Sequence, residues 1–383
     1  MRLVLNNIGQ IAHADLEFSD LTVLVGPQAT GKSIALQFLK LVLDMGQVQE
    51  EMARYGLDWS GKLPEFFDVY FGEGMRSLWR AEASQVHVNG RPFDVAKQVA
   101  RKRRNKEESL FFIPAQRVLT LRDGWPRPFT DYSPGDPFAV REFSEKLRLL
   151  VEQEFGASEN LFPQERRLKR EFRELLDRSV FARFPLRVDK VRAQKRLVLG
   201  GDKDAIPFMA WSAGQREFVP LLLGLYWLMP PTKVPRRGNL RWVVLEELEM
   251  GLHPRAIAVV LLMVLELVSR GYRVCVSTHS PQVLELTWAL RQLRANHASP
   301  TEVLRMFDVS NTPFLHKLAE NALQKTMKVH YFDPSGRTRD ISDLDPDSEQ
   351  VEERDWGGLA DFSGRANEAV ARAVAKHRRG NGQ

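Results

Sequence analysis

The chain alternates between two apolar periods. Residues 2–9 and 14–18 have strand character, with a bend at 6–10. Leu21-Thr22-Val23-Leu24-Val25 is a short apolar, β-branched run closed by Gly26-Pro27, as in a parallel strand buried on both faces. From Ser33 the period changes, and Ile34, Leu36, Phe38, Leu39, Val42 and Leu43 predict a helix packed on a sheet. Residues from 46 to about 205 are more polar and irregular, apart from an apolar strand at Leu110–Ile113 and Pro-rich loop sequence at 125–137. Amphipathic stretches at about 138–154 and 164–178, split by the turn-rich segment 156–163, predict an antiparallel helical hairpin or short arm. After residue 208 strands and helices alternate: a helix over about 214–228, strand Val243–Leu245, a helix over about 254–270, strand Arg273–Ser277, and a helix starting at Pro281. A hairpin of Lys328–Phe332 and Arg337–Ile341 turns at Asp333-Pro334-Ser335-Gly336, and a helix near 364–378 ends in the basic tail His377-Arg378-Arg379-Gly380.

This order predicts an α/β fold with a mostly parallel core sheet. Its segments are a core N-terminal part over 1–45, an inserted lobe with a helical arm over 46–205, the rest of the core over 206–295, and a small α+β extension over 296–383. The 383 residues allow two or three structural units, and 43% hydrophobic with 27% charged residues is ordinary for a soluble globular chain. The one cysteine, Cys275, excludes a disulfide framework and a Cys-rich zinc site; between Val274 and Val276 it reads as a buried, inert thiol. No stretch approaches the roughly 20 apolar residues of a membrane span. The N-terminus enters strand-like sequence without a signal peptide's apolar region, so a cytoplasmic protein without membrane contact is expected. Lys and Arg total 55 against 49 Asp and Glu, and the resulting +6 permits nucleic-acid contact without requiring it. The basic runs at 101–106 and 190–196 read either as partner- or DNA-binding surfaces or as solvated charge.

Four segments carry chemistry. Gly26-Pro27-Gln28-Ala29-Thr30-Gly31-Lys32-Ser33 fits G-x-x-x-x-G-K-[ST] at every fixed position, with a strand before it and a helix after. Such a loop curls backbone N–H groups around phosphate oxygens at a helix N-terminus. Lys32 would reach the β- and γ-phosphates, and Ser33 would ligate Mg²⁺. Next, the apolar strand Val243-Val244-Leu245 ends in Glu246-Glu247, carboxylates suited to holding a metal's water shell and activating an attacking water. Alone, such a pair also fits solvated charge. A third strand, Val274-Cys275-Val276, delivers Ser277-Thr278-His279 at its carboxyl end, where open α/β sheets bind ligands, so His279 is a candidate γ-phosphate contact. The fourth, Trp211-Ser212-Ala213-Gly214-Gln215, read alone is a helix start with Ser212 as N-cap.

Together these residues resemble the ABC-type ATPase family. Ser212-Ala213-Gly214-Gln215 looks like its signature motif, Glu246-Glu247 stands at its Walker B Asp-Glu, and His279 stands at its switch histidine, in the family's order. Leu252-His253-Pro254 and Ser277-Thr278-His279-Ser280-Pro281 resemble the non-transporter branch: repair and chromosome-structural ATPases, OLD nucleases and ATPases of bacterial defence loci. Tyr331–Asp333 and Asp355-Trp356-Gly357-Gly358 loosely resemble the C-terminal ends of the defence-type proteins. The resemblance implies ATP and Mg²⁺ as ligands and a head-to-tail homodimer or higher homo-oligomer with ATP at the interface. It implies Glu247 as general base, His279 as γ-phosphate sensor, and Ser212, Gly214 and Gln215 as contacts to the opposite chain's γ-phosphate. Gln116, after the strand at 110–113, stands where the family's Mg²⁺-touching glutamine would fall. Three departures are Glu246 for Asp, Leu248 for the usual Pro, which is expected to loosen the turn after the base, and the Trp211 and Ala213 signature variants. A following metal-dependent nuclease domain would need roughly 150 further residues, so none is expected here. The acidic residues Asp340, Asp343, Asp345 and Asp347, with Glu349, Glu352 and Glu353, read as a solvated loop. The function implied is an ATP-hydrolysing sensor or switch for a separate effector protein, for example a nuclease, in anti-phage defence; the alternative is a RecF-like repair ATPase clamping duplex DNA.

Overall fold

A computed structural model describes residues 1–101, 107–155, 160–191, 194–201, 204–230 and 235–380. Most of the basic run at 101–106, and part of that at 190–196, lie outside the described residues. In chain order the main elements are strands β1 (Arg2–Ile8), β2 (Ile11–Glu17) and β3 (Leu21–Val25), helices α1 (Lys32–Arg54) and α2 (Leu63–Phe71), and strands β4 (Gln85–Val88) and β5 (Leu110–Ile113). Helix α3 (Phe138–Leu149), strand β6 (Asn160–Phe162), helix α4 (Arg170–Leu176), and strands β7 (Leu186–Val191), β8 (Gln194–Leu199) and β9 (Ile206–Pro207) follow. Next come α5 (Ala213–Leu228), β10 (Trp242–Glu246), α6 (Pro254–Ser269), β11 (Arg273–Thr278) and α7 (Pro281–Ala295). The chain continues through α8 (Pro300–Met306), α9 (Pro313–Gln324), β12 (Met327–Phe332), β13 (Thr338–Asp340) and, after a short turn of helix, α10 (Asp361–Gly380).

The core sheet runs β13-β12-β3-β11-β10-β5, parallel throughout except for the edge strand β13. Its inner strands are apolar on both sides because both sides are covered. Leu21, Val23, Val25, Phe111, Ile113, Val243, Leu245, Val274, Val276 and Val329 face one cluster, with α5, α6 and α7. Leu24, Leu110, Phe112, Trp242, Val244, Cys275 and Phe332 face the other, with α1, α2 and the N-terminal sheet. The period-2 alternation of side chains thus divides each strand between two cores.

A second sheet, antiparallel, pairs β1 with both β2 and β4. A third, of order β9-β8-β7-β6, is also antiparallel. Segment 46–205 therefore contributes to all three of these sheets and forms a fourth, two-stranded one by pairing Leu121–Arg122 with Trp125–Pro126. The helices predicted at 138–154 and 164–178 exist, in part as wider π-type turns at Leu150–Glu154 and Asp177–Phe181. They do not stand out as an arm: α3 packs chiefly on α5 and β5, and α4 on α6. The physical reason is that Phe143, Leu147, Phe172 and Leu176, spaced for a helix face, are all buried in the core cluster around α5 and α6. The C-terminal segment likewise supplies an inner strand, β12, beside β3. Among the described residues, no helix is long and apolar enough to cross a membrane.

Candidate functional site

The parallel register aligns the chemistry at one end of the sheet. Val25 pairs with Thr278, Ser277 with Glu246, and Leu245 with Ile113. The loops leaving these strands therefore begin side by side: 26–31 after β3, His279 after β11, Glu247 after β10, and Gln116 after β5. The P-loop sequence, the acidic pair, the histidine and the glutamine meet at the carboxyl edge, where α/β sheets bind ligands.

The loop itself depends on glycine. Gly26 has φ +144°, and a Cβ there would run into the carbonyl oxygen of Phe332; Gly31, at φ +100°, lies against Ile11 and forms the start of α1 without a side-chain cap. The first N–H groups of α1 are thus left for an anion. Pro27, Gln28, Ala29 and Ser33 are exposed while Thr30 is buried, its hydroxyl donating to Pro27 O at 2.9 Å. Lys32 folds back over the loop, and its Nζ donates to Gly26 O and Pro27 O at 2.7 Å each. Burial pulls its ammonium down to about 8, with Glu247 and Glu249 opposing that shift.

Glu246 is buried beneath this loop. Its Oε2 accepts from the Ala115 N–H at 3.2 Å, while Oε1 is buried without a hydrogen-bond partner. Burial raises its carboxyl, against the Ser33 hydroxyl and the Ala115 N–H. A buried carboxylate oxygen with no donor, beside the serine of the P-loop, fits a hydrated divalent cation. Ser33 and Glu246 would hold Mg²⁺ with phosphate oxygens, and Gln116 stands next to Ala115 on the exposed rim. Bound there, the cation would neutralise phosphate charge.

Glu247 adopts a left-handed backbone, φ +44°, and its N–H donates to Ser277 O at 2.9 Å. Its carboxylate is partly open, with Oε1 3.8 Å from His279 Nε2. Burial and then Lys32 lower the imidazole's affinity for a proton, against Glu247 and Glu249, so His279 is held neutral. A neutral imidazole beside a carboxylate, facing a phosphate loop, can orient a water while the carboxylate takes its proton. Leu248, in place of the usual proline, is fully buried in the core, and Met250 N–H to Glu247 O at 3.1 Å closes the turn, so the expected loosening is not seen.

Three residues here were not singled out from the sequence. Glu249 Oε1 accepts from the Thr278 hydroxyl at 2.9 Å and from the His279 N–H, fixing the histidine's loop. Arg117 and Glu217 join α5 to the acidic strand. Only position could have flagged them: Arg117 adjoins Gln116, Glu249 follows Glu246-Glu247, and Glu217 lies two residues after Gln215.

The signature-like segment starts α5. Ser212 and Gln215 form a reciprocal capping box, with Gln215 N–H to Ser212 Oγ at 3.2 Å and Ser212 N–H to Gln215 Oε1 at 3.1 Å. Ser212 and Ala213 are exposed. Gly214 lies so close to the turn after the acidic pair that a Cβ would sit 2.8 Å from Gly251 O.

Residues 21–285 match the family described as AAA domain, putative AbiEii toxin, Type IV TA system. No curated protein sequence matches the chain. Among solved structures, an SMC head domain from Thermotoga maritima is similar at 14% identity over 74% of this chain and 90% of its own, with a TM-score of 0.34. An SmcHead bound to the C-winged helix domain of ScpA matches at 13% identity over 88% and 95%, with a TM-score of 0.40. An ATP binding subunit of an ABC transporter matches at 13% identity over 90% and 92%, with a TM-score of 0.35. A P-loop sequence joined to a parallel sheet, with the family's match covering well over half of the chain, identifies it: the protein belongs to this family of AAA-domain P-loop ATPases.

Proposed function

We propose that the chain binds ATP with Mg²⁺ at Gly26–Ser33 and hydrolyses it to ADP and phosphate, as a nucleotide-gated switch for a separate effector protein in anti-phage defence. Glu247 takes the proton of the attacking water. Lys32 and the neutral His279 face the γ-phosphate, and Glu246 with Ser33 holds the metal. Two copies close head to tail, with Ser212, Gly214 and Gln215 of one copy over the other's loop. The observation that carries this reading is the convergence of Lys32, at the start of α1, with Glu247 and His279, just past the ends of adjacent parallel strands, beside a buried carboxylate oxygen that lacks a donor. The exposed start of α5 supports a partner chain, because Ser212 presents outward. The toxin named in the family description supports the defence setting.

The test is solution mass by light scattering, with and without ATP, on Glu247→Gln protein purified from its native host. The expected result is an ATP-dependent homo-oligomer carrying a second polypeptide in fixed stoichiometry. An ATP-induced dimer without a second polypeptide that binds duplex DNA would replace the switch with a DNA clamp. A mass indifferent to ATP would remove nucleotide-gated assembly altogether.

A further inference from the structure

Arg117 follows Gln116 in the loop after β5, yet its side chain is 0% exposed. A buried guanidinium needs partners for its N–H groups. Here they are main-chain carbonyls: Nε donates to Glu217 O at 3.1 Å, Nη1 to Glu246 O at 3.0 Å, and Nη2 to Glu247 O at 3.0 Å. The Glu217 carboxylate stands 3.4 Å from Nε as its counter-charge.

The carbonyls of Glu246 and Glu247 belong to the two peptide planes flanking the Glu247 Cα. One planar cation grips both. The Glu247 N–H is held by Ser277 O. Three of the four polar groups in those two peptide planes, Glu246 O, Glu247 N–H and Glu247 O, are therefore engaged, and the residue sits at φ +44°, a region that side-chain-bearing residues seldom occupy unless their surroundings over-determine it. The third donor reaches α5, five residues beyond Ser212.

We infer that Arg117 is a positioning residue: it fixes the direction of the Glu247 carboxylate and ties that direction to the helix that begins at Ser212. The inference rests on Glu247 being the base in the function proposed above. Its consequence is that a displacement of α5, where a second copy would engage, is transmitted through one side chain to the same subunit's catalytic carboxylate. Lysine cannot replace it, because a single ammonium lacks the planar fork that reaches three separated acceptors.

The experiment compares wild type, Arg117→Lys, Glu247→Gln and the double variant, reading ATP affinity and single-turnover hydrolysis separately. Arg117→Lys is expected to lower the hydrolysis rate on the order of 10- to 100-fold, since small misplacements of a reacting group cost that much. Its ATP Kd should stay within about twofold. In the Glu247→Gln background the same change should alter the residual rate less than about threefold, because groups acting as one unit are not additive. Losses that multiply, or a Kd that weakens in step with the rate, overturn the inference. Amide hydrogen exchange gives a readout independent of turnover: the Glu247 and Met250 amides should exchange about tenfold faster in Arg117→Lys, with β3 and β12 unchanged. Unchanged exchange at Glu247 overturns the assignment whether or not the wild type hydrolyses ATP. Wild type without hydrolysis, or Glu247→Gln as fast as wild type, defeats instead the functional reading. If Arg117→Lys does not fold, Arg117→Gln takes its place; failure of both to fold also overturns the inference, since a positioning role leaves the core intact.

Discussion

Replacing Lys40 with methionine removes the charge at the centre of a buried network while keeping the volume of the side chain. Nζ lies 3.0 Å from Asp44, 2.9 Å from Glu108 and 3.4 Å from Glu142, and donates to Leu110 O at 2.7 Å. The Lys40 side chain is 1% exposed. Lys146 is the second cation, paired with Glu108 and, at 3.1 Å, with Glu142. Asp44 keeps N–H donors from Ser109 and Leu110, both at 2.9 Å, when Lys40 is lost. Three carboxylates would then share one cation, and breaking a buried pair costs about 3–5 kcal/mol. With an unfolding entropy of ~2 cal/mol/K per residue, the melting point should fall by roughly 4–6 °C. The pH dependence follows from Glu108: burial pushes its carboxyl up, but Lys146 and Lys40 outweigh that and hold it below the ordinary value. A depressed carboxyl contributes stability above its unfolded pKa, about 4.3, and loses it as pH falls through the folded value. The difference between wild type and Lys40→Met should therefore be full at pH 7 and shrink below about pH 4. Urea unfolding followed by circular dichroism at both pH values measures it. A difference below ~1 kcal/mol at pH 7, the scale of an exposed pair, or one that grows on acidification, would refute the reasoning. ATP affinity should change little, since Lys40 lies about 12 Å along α1 from Lys32.

Two shorter predictions concern the loop. Because burial holds the Lys32 ammonium down to about 8, ATP affinity should be flat from pH 7 to about 8 and then weaken by up to tenfold per pH unit, as phosphate binding must draw in a proton; a Kd constant to pH 9.5 contradicts this. Gly26→Ala places a methyl against Phe332 O at φ +144°, and because that oxygen belongs to strand β12 the clash should cost about 2 kcal/mol or more of stability and abolish nucleotide binding; thermal melts and ATP titrations like wild type would show that the loop can shift.

How far the sequence could be read depended on what each residue recognises. The inner strands were legible because a parallel strand covered on both faces has to be apolar throughout, as Leu21–Val25 and Trp242–Glu246 nearly are. The P-loop was legible because two glycines, a lysine and a serine at fixed spacing leave few alternatives. Strand β4, Gln85-Val86-His87-Val88, was missed because its polar half faces outward and its partner, β1, lies more than eighty residues earlier. The strand pair β7–β8 carries a period-2 signal too, with Leu186 and Leu197 buried inward. Its interleaved Arg187, Asp189 and Arg196 masked that signal, and the run at 190–196 read as a partner- or DNA-binding surface or as solvated charge.

The residues that orient the site were hidden for a different reason. A motif records side chains, whereas Arg117 recognises carbonyl oxygens 100, 129 and 130 residues away, and any residue supplies a carbonyl. Glu249 illustrates the same limit. In the sequence it is a third acidic residue behind Glu246-Glu247, indistinguishable from solvated charge. In the fold it accepts from the Thr278 hydroxyl and the His279 N–H, so the strand carrying the acidic pair also sets the loop that carries the histidine. Glu247 and His279 are thereby oriented by neighbours rather than by each other, which is consistent with their separation of 3.8 Å, too long for a hydrogen bond. A water within hydrogen-bond reach of both would sit to one side of that line rather than between the two atoms, on the face turned to the phosphate loop, where the carboxylate can take its proton while the imidazole orients it.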